Sequence, residues 1–335
     1  MTDPSVSLSR PDQDGFVQMA ERHRHELEVH CYRMLGSLQD AQDAVQETYL
    51  RAWTRLDTYA GRSTFRAWLY GIATHVCLDA LRRRKSRVWI SDLAGPADPK
   101  AEPAPFADLP WLQPYPDRLL EPPAPADGEP EAVVTAKETI ELAFLAAIQQ
   151  LTARQRAVLI LRDVLDWSAR NTAAALDMTE TAVHSALRRA RGTLGSQLPK
   201  SRTEWRGEPT PTERGLLRDF IAAWERTDTS ALVELLRADA RFVMPPRPTW
   251  FLGRDTIGTF LDGHVFAVMG TDWRLLPTSA NGQPAFGLYW RSADSGDHRP
   301  FAIGVLREER GGIGEIGMFL QPELFAAFGL PEAVR

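Results

Sequence analysis

Three groups of residues in this 335-residue chain have the types and spacing to do chemistry. The first is cationic: Arg82, Arg83, Arg84 and Lys85 run unbroken, Arg87 follows, and Tyr59, Phe65, Trp68 and Tyr70 precede them. Cations hold a phosphate backbone while rings stack on unpaired bases, so the combination suits opened nucleic acid. Alone, such a run at a helix end would only complement the helix dipole. Some of the rings would also serve a bundle core, and Trp68 is expected to be partly buried. The second group is Thr181, His184, Ser185 and Arg188, which recur at three- and four-residue steps and share one helix face opposite Val183, Leu187, Ala190 and Leu194. Arg reads guanine edges in a major groove, and Ser and Thr reach bases or phosphates. Arg189 and Arg191 flank them and neutralise phosphates. The plain alternative is a helical hairpin with a solvated face. The third group is apolar: Trp224, Phe242, Met244, Trp250, Phe251, Phe260, Trp273, Tyr289, Met318 and Phe319 are candidates to line a pocket, although core packing accounts for most of them. His264, Asp262 and Asp272 are the candidates there for acid–base work. No pair among the three specifies a reaction, so no catalytic residue is assigned.

Helices must position the first two groups. The second sits on a helix-turn-helix pattern, Ser168–Leu176 and Thr179–Leu194, with Asp177-Met178 as the turn and Thr179 as N-cap. The basic run ends a helix from Phe65 to about Lys85, with Leu69, Ile72, Val76 and Ala80 inward, after a break at Gly61–Thr64. Before it, Phe16, Met19, Ala20, His23, Leu27, Cys31 and Met34 read as one helical stripe that Gly36 ends. Ala41, Ala44, Val45, Thr48, Ala52 and Leu56 form the next, with Asp40 as its cap. Ile140, Phe144, Ala147, Ile148 and Leu151 make a further stripe, and Val158, Leu161 and Leu165 another. From about residue 209 the pattern changes. Helices over Thr212–Arg226 and Ser230–Arg237 lead to a strand, Arg241–Met244, stopped by Pro245-Pro246, and a helix over Asp255–Val268. Strands are expected at Trp273–Ala280, Pro284–Ser292, Phe301–Glu308 and Ile313–Leu320, with turns at Asn281-Gly282, Asp294–Asp297 and Gly311-Gly312. Helices followed by a strand meander read as α+β.

Composition narrows the classes further. Hydrophobic residues at 44% and charged residues at 25% exclude a globally disordered or collagen-like chain. No apolar run approaches the roughly twenty residues of a membrane span, and the polar N-terminus lacks a signal core. With only Cys31 and Cys77, neither a disulfide framework nor a four-thiolate zinc site is expected. A cytoplasmic protein without metal or cofactor is the expectation. The net charge of −5 hides a pattern: +4 over residues 15–90, −6 over 91–130, +3 over 131–202 and −4 over 203–335. Nucleic-acid affinity follows local positive charge, and two basic blocks are present. The acidic stretch between them holds eleven of the 24 prolines, too many for a regular helix or central strand. Its Phe106, Leu109, Trp111, Leu112, Tyr115, Leu119 and Leu120 are too apolar for a solvated spacer, so its middle is expected to dock on a folded surface.

Asp40–Trp53 and Phe65–Arg84 resemble the region-two core of bacterial sigma-70-type factors, and Leu151–Leu159 with Thr181–Arg191 resembles region four. Order and spacing are similar to those of the extracytoplasmic-function (ECF) sigma factors, over about residues 13–198. The last block resembles the α+β cone of SnoaL-like proteins, and Asp108–Leu120 is similar to the linker of sigma factors that carry such a cone. The implied architecture is multidomain: an all-α sigma region two over 13–90, a Pro-rich acidic linker over 91–130, an all-α region four with its helix-turn-helix over 131–200, and a SnoaL-like cone over 209–330.

The resemblance implies an RNA polymerase sigma factor, not an enzyme, that directs the core enzyme to −10 and −35 promoter elements. Asp40, Asp43, Gln46, Glu47, Leu50 and Trp53 would face the β′ clamp, and region four the β flap. Arg62, Ser63, Thr64, Phe65, Trp68, His75, Arg82, Arg83 and Arg84 would engage the −10 element around a flipped base. Thr181, His184, Ser185, Arg188, Arg189 and Arg191 would read the −35 element. His75 stands where the family commonly has Asn, and Asn171 where it commonly has Glu, so promoter sequence does not transfer from relatives. The cone would modulate activity and could hold a small-molecule ligand; nothing in the sequence specifies an anti-sigma partner. Two other readings are a DNA-targeted enzyme using the cone for cyclase, isomerase or hydrolase chemistry, and a dimeric helix-turn-helix transcription factor. The clamp-like stretch Asp40–Trp53 disfavours the latter.

Overall fold

The structure, a computed structural model, describes residues 13–59, 64–83, 95–120, 142–195, 209–291 and 296–335. The chain divides into two compact units, Met1–Ser86 with Ile148–Gly195, and Arg87–Ala147 with Ser196–Arg335.

The first unit is helical. The early stripe is split between α1 (Gln13–Glu21) and α2 (Arg24–Leu35) rather than carried by one helix. Gly36 closes α2 in the left-handed region at φ 69°, where a Cβ would be strained. α3 (Leu38–Thr54) is capped by Ser37, not Asp40: the Ser37 hydroxyl accepts from the Asp40 N–H at 3.2 Å, which leaves Asp40 in the first turn, where its charge suits the dipole. The face Ala41, Ala44, Val45, Thr48 and Ala52 is buried as its spacing requires. α4 (Phe65–Arg83) buries Leu69, Ile72 and Val76, and also Tyr70, Ala73, Thr74, Cys77 and Leu78. It is covered on a second side by the later helices, and so carries no single apolar stripe. Of the later helices, α5 (Leu142–Gln149), α6 (Ala153–Leu159) running into a π-turn (Ile160–Val164), α7 (Ala169–Ala175) and α8 (Glu180–Leu194), it is α6 and α7 that pack on α4. α7 and α8 form the helix-turn-helix. Ser168 caps α7 and Thr179 caps α8, and Asp177 turns the chain at φ 51°.

The second unit is an α+β cone. α9 (Pro211–Glu225) and α10 (Thr229–Leu235) precede β1 (Leu236–Val243) and a short β2 (Trp250–Leu252). α11 (Arg254–Phe260) continues through a π-turn (Leu261–Phe266) into α12 (Ala267–Met269). β3 (Trp273–Ala280), β4 (Gln283–Trp290), β5 (Arg299–Glu309) and β6 (Gly312–Phe319) form the meander, and α13 (Phe325–Phe328) follows. The sheet order is β2-β1-β6-β5-β4-β3, with β1 parallel to β6 and the other pairs antiparallel. Leu236 and Arg237 begin β1 rather than end the helix, and β2 is too short to leave a periodic signal. The core packs Phe242, Leu275, Phe286, Leu288, Ile316 and Met318 with Phe220, Trp224 and Phe260 from the helices. Gly304 makes room for the Phe286 ring, since a Cβ there would fall 2.1 Å from the ring edge.

The proline-rich linker docks on this cone through its described part. Trp111, Leu112, Tyr115 and Leu120 are buried. The Asn281-Gly282 hairpin turn, with φ values of 57° and 71°, holds it: the Asn281 side chain accepts from Tyr115 N–H at 2.7 Å, Asn281 N–H donates to Tyr115 O at 2.9 Å, and Gly282 N–H donates to Asp117 at 2.9 Å. Upstream, Ala97 N–H donates to Trp250 O and Ala107 N–H to Pro246 O. Downstream, Arg118 reaches Ala326 O and Ala327 O.

Candidate nucleic-acid interface

The N-terminal end of α4 carries a half-buried ring cluster. Trp68 lies 5.3 Å from Tyr59 and 5.7 Å from Phe65, and Phe65 lies 6.2 Å from Phe16. Thr64, at the lip, is exposed and accepts from Ala67 N–H at 3.2 Å. Rings packed edge to tilted face hold one another in place, which leaves a preformed apolar wall beside an exposed hydroxyl. His75 sits two turns on. Its Nδ1 donates to Gly71 O at 2.9 Å, which turns Nε2 to within 3.4 Å of the Asp177 carboxylate. At the C-terminal end Arg83 is exposed, and Arg82 pairs with Asp79 at 2.9 Å. Arg62, Ser63 and Arg84 lie outside the described residues.

On α8, Thr181, His184, Arg188 and Arg189 are exposed and Ser185 is half-buried, while Val183, Ala186, Leu187 and Ala190 face inward. Arg191 differs from its neighbours. It forks onto Asp163 at 2.7 and 2.9 Å, and the hydrogen bond to this carboxylate raises its pKa above the ordinary guanidinium value. It braces α8 against the π-turn segment.

The clamp-facing candidates lie on the outer face of α3. Asp43 and Gln46 are exposed, Asp40 and Glu47 half-buried, and Leu50 is 64% exposed, an unusual position for a large apolar side chain. A groove of about 370 Å³ between α3 and α4 is lined by Asp40, Asp43, Glu47 and Arg83. Trp53, half-buried one turn after Leu50, also packs its ring 5.3 Å from Phe16.

The structure also brings α4 against α7. A Cβ on Gly71 would lie 3.9 Å from Ala175, and the Tyr70 and Trp167 rings pack at a tilt of 60° with centroids 5.7 Å apart. Trp68, Gly71 and His75 therefore face a cleft of about 1,030 Å³ whose far side holds Trp167, Arg170 and Asn171. Sequence reasoning missed Arg156, a fully buried cation. It donates to Met34 O at 2.5 Å, Gln149 Oε1 at 2.7 Å and Ile148 O at 3.0 Å, so one guanidinium ties α6 to the end of α2. Burial pulls its pKa down to about 10. Only its place amid apolar Ala157 and Val158 hinted at burial. His30 was missed too. It is buried, donates from Nε2 to Thr74 Oγ1 at 2.9 Å, and desolvation pulls its pKa down to about 3.

In the cone, a cavity of about 640 Å³ opens between the sheet and the α11–α12 helix. Of the sequence candidates Trp224, Phe242, Met244, Phe260, His264, Trp273 and Met318 line it. Trp250, Phe251, Tyr289 and Phe319 do not. Side chains alternate along a strand, so Tyr289 and Phe319, next to core-facing Leu288 and Met318, point to the opposite face. There Tyr289 donates to Pro331 O at 2.9 Å and packs on Phe325. Trp250 is likewise out of phase with Phe251, which stacks on Phe260 at 4.2 Å. Asp262 is exposed and bonded by Thr229, and Asp272 is held by His298 and Arg291, a hydrogen bond from His298 keeping it below the usual carboxylate range. Neither lines the cavity.

Two helical modules with cationic faces on one chain have the make-up of a sigma-70-type initiation subunit, and the comparisons with known proteins agree. Residues 19–87 match the model of Sigma-70 region 2, and residues 141–194 that of Sigma-70 region 4. The ECF RNA polymerase sigma factor SigG of Mycobacterium tuberculosis is 41% identical over 320 residues, 95% of this chain and 85% of the relative. The ECF sigma factor SigW of Bacillus subtilis is 33% identical over 89 residues, 26% of this chain and 48% of the relative. The crystal structure of the Mycobacterium tuberculosis ECF sigma factor SigJ shares the fold, with a TM-score of 0.58 at 20% identity over 94% of this chain and 99% of that one. The chain belongs to the ECF family of RNA polymerase sigma factors. Members of this family bind RNA polymerase core and promoter DNA to start transcription and are not themselves enzymes. No helix among the described residues is long and apolar enough to cross a membrane.

Proposed function

We propose that residues 13–90 and 131–200 act as separate promoter-reading modules of a cytoplasmic sigma factor, and that the cone over 209–330 regulates them through the linker. The outer face of α3, with Asp40, Asp43, Gln46, Glu47 and exposed Leu50, docks on the β′ clamp, and the second module docks on the β flap. The wall formed by Thr64, Phe65 and Trp68 takes a flipped base of the −10 element, offsetting the few kcal/mol of unstacking with ring contact. His75 borders that site, and Arg82 and Arg83 hold nearby phosphates. Thr181, His184, Ser185, Arg188 and Arg189 read the −35 element, with Arg191 bracing them.

Contact between α4 and α7 supports a switch in this reading. The −10 and −35 elements lie about 25 base pairs apart, roughly 85 Å at ~3.4 Å per base pair. Helices packed so that Gly71 meets Ala175 cannot span that distance, so the modules must separate before both elements are engaged. The segment that joins them is the linker, and its hydrogen bonds to Asn281, Gly282, Pro246 and Trp250 give the cone a hold on their separation. That hold carries the regulatory proposal. The test is run-off transcription with core polymerase, comparing the full chain with a truncation after Arg202. Different activity is expected, and equal activity removes the regulatory role. Trp68→Ala is expected to abolish promoter opening with core binding intact; persistent opening removes the −10 assignment.

A further inference from the structure

The cleft between α4 and α7 carries a pattern that belongs to neither module alone. Arg55 and Trp68 stand on one wall, Trp167 and Arg170 on the other, and the walls meet where Gly71 approaches Ala175. Each wall supplies an indole. Trp68 packs on Tyr59 and Phe65, and Trp167 on Tyr70, so both rings are held in place, yet both are only half-buried and line the cleft. Each wall also supplies a cation. Arg55 and Arg170 are exposed, and Arg170 has no partner among the described residues. It lies in the first turn of α7, where a positive charge works against the helix dipole, so α7 itself gains nothing from it. Arg51, a further cation of the lining, is spent on Glu47 and Asp79. Asp177, the carboxylate of the lining, is 87% exposed and faces His75 at 3.4 Å. The balance is positive and sits beside two flat rings. That is the chemistry that holds a nucleotide: a ring stacks on the base and guanidiniums take the phosphates.

We propose that this cleft binds a free nucleoside polyphosphate, with its base stacked on Trp68 and its phosphates held by Arg170, and that the bound nucleotide bridges the two modules. Trp167 and Arg55 complete the walls. The volume of about 1,030 Å³ lies at the top of the range of small-molecule sites, with room for a base, a ribose and a phosphate chain. The same chemistry could be offered by an unpaired promoter strand. The closed cleft favours the free nucleotide, because promoter engagement separates the modules and takes Arg170 away from Trp68. A ligand that needs both walls binds the closed form and not the separated one, so it holds the modules together. At about ten times its Kd, the ratio of separated to closed chain falls about tenfold. That consequence rests on the separation derived above; the binding site does not.

The probes are ATP, adenosine, tripolyphosphate and a deoxyadenylate pentamer, each titrated into the full chain by calorimetry at one ionic strength. ATP is expected to bind about tenfold more tightly than adenosine or tripolyphosphate, since it alone engages ring and cation together. Arg170→Ala, a change at an exposed site, is expected to weaken ATP about tenfold and to leave adenosine unchanged. Trp68→Ala is expected to weaken ATP and adenosine alike, by about fivefold or more, and Trp68→Phe, which keeps a ring, to restore most of that loss. The pentamer is expected to bind no more tightly than ATP. The proposal is overturned if ATP does not bind the parent chain, or if tripolyphosphate binds as tightly as ATP, which marks a general polyanion surface. It is overturned too if either Arg170→Ala or Trp68→Ala leaves ATP affinity unchanged, because a ligand held by one wall does not bridge. A pentamer about tenfold tighter than ATP, with the same dependence on Arg170, assigns the cleft to a DNA strand and overturns the free nucleotide. None of these titrations uses polymerase, so a chain that binds ATP here yet proves never to separate its modules rejects the switch and keeps the site.

Discussion

Replacing Trp167 by Ala should loosen the contact between the two promoter-reading modules. Beyond the close packing of Gly71 on Ala175, the contact has three components with assignable magnitudes. Arg156 donates to Met34 O, a charge-assisted hydrogen bond worth about 1.5–3 kcal/mol. Tyr70 and Trp167 form a ring pair worth about 0.5–1.5 kcal/mol beyond its buried area. His75 and Asp177, 3.4 Å apart with both side chains largely in solvent, add less than about 1 kcal/mol. Together these hold the modules by about 2–5 kcal/mol, which leaves the separated form at roughly a few per cent to a few hundredths of a per cent. Removing the Trp167 ring gives back about 1 kcal/mol, so the separated fraction rises about fivefold. Energy transfer between labels at Gln42 on α3 and Gly192 on α8, both exposed, reads the separation directly. In run-off transcription, the core polymerase concentration for half-maximal activity should fall by a similar factor. A folded Trp167→Ala chain with an unchanged distance distribution, or one that needs more polymerase, would refute the idea that this contact is a closed state opened on the way to the promoter.

Three further outcomes are expected. Leu50→Asp should weaken core polymerase binding by about tenfold or more, as loss of an apolar anchor at an interface does, with an unchanged melting temperature because Leu50 is 64% exposed; native-gel titration against core enzyme checks the first half and a thermal melt of the free chain the second. Arg188→Ala should cost about 1–3 kcal/mol of −35 promoter affinity, measured as holoenzyme binding to promoter fragments, while Arg191→Ala should chiefly lower stability because its guanidinium is spent on Asp163. For His30 the folded pKa lies near 3, below its ordinary value of 6.5. Its contribution is fully present above pH 6.5 and is lost as pH falls, because only the unfolded chain takes up the proton. Urea unfolding should show a loss approaching ~1.4 kcal/mol per pH unit between pH 6.5 and 5, reduced in His30→Gln. An equal slope in the variant would assign the loss to other groups.

Local patterns carried far in this chain. The apolar faces of α3 and α8, the Thr179 cap and the Asn281-Gly282 hairpin all follow from short-range rules, because 3.6-residue and two-residue periods and a left-handed turn are written within a few neighbours. The cationic faces were legible for the same reason: exposed charge on a helix needs no partner to be placed. The α4 pattern gave a helix but not its second buried side, since Tyr70 and Cys77 are covered by helices that follow long after in the chain.

What the sequence by itself determined is therefore the modules and their surfaces: helical faces, caps, turns and the families they resemble. Only the tertiary structure decided which surfaces meet. It packed Trp53 on Phe16, tied Arg191 to Asp163, buried Arg156 against Met34 O, and sent Tyr289 and Phe319 to the far face of the sheet. Each of these depends on a partner remote in sequence or on the phase of a strand relative to a distant helix. Contacts of that kind are selected by the packing of the whole core, and a neighbouring residue holds no record of them.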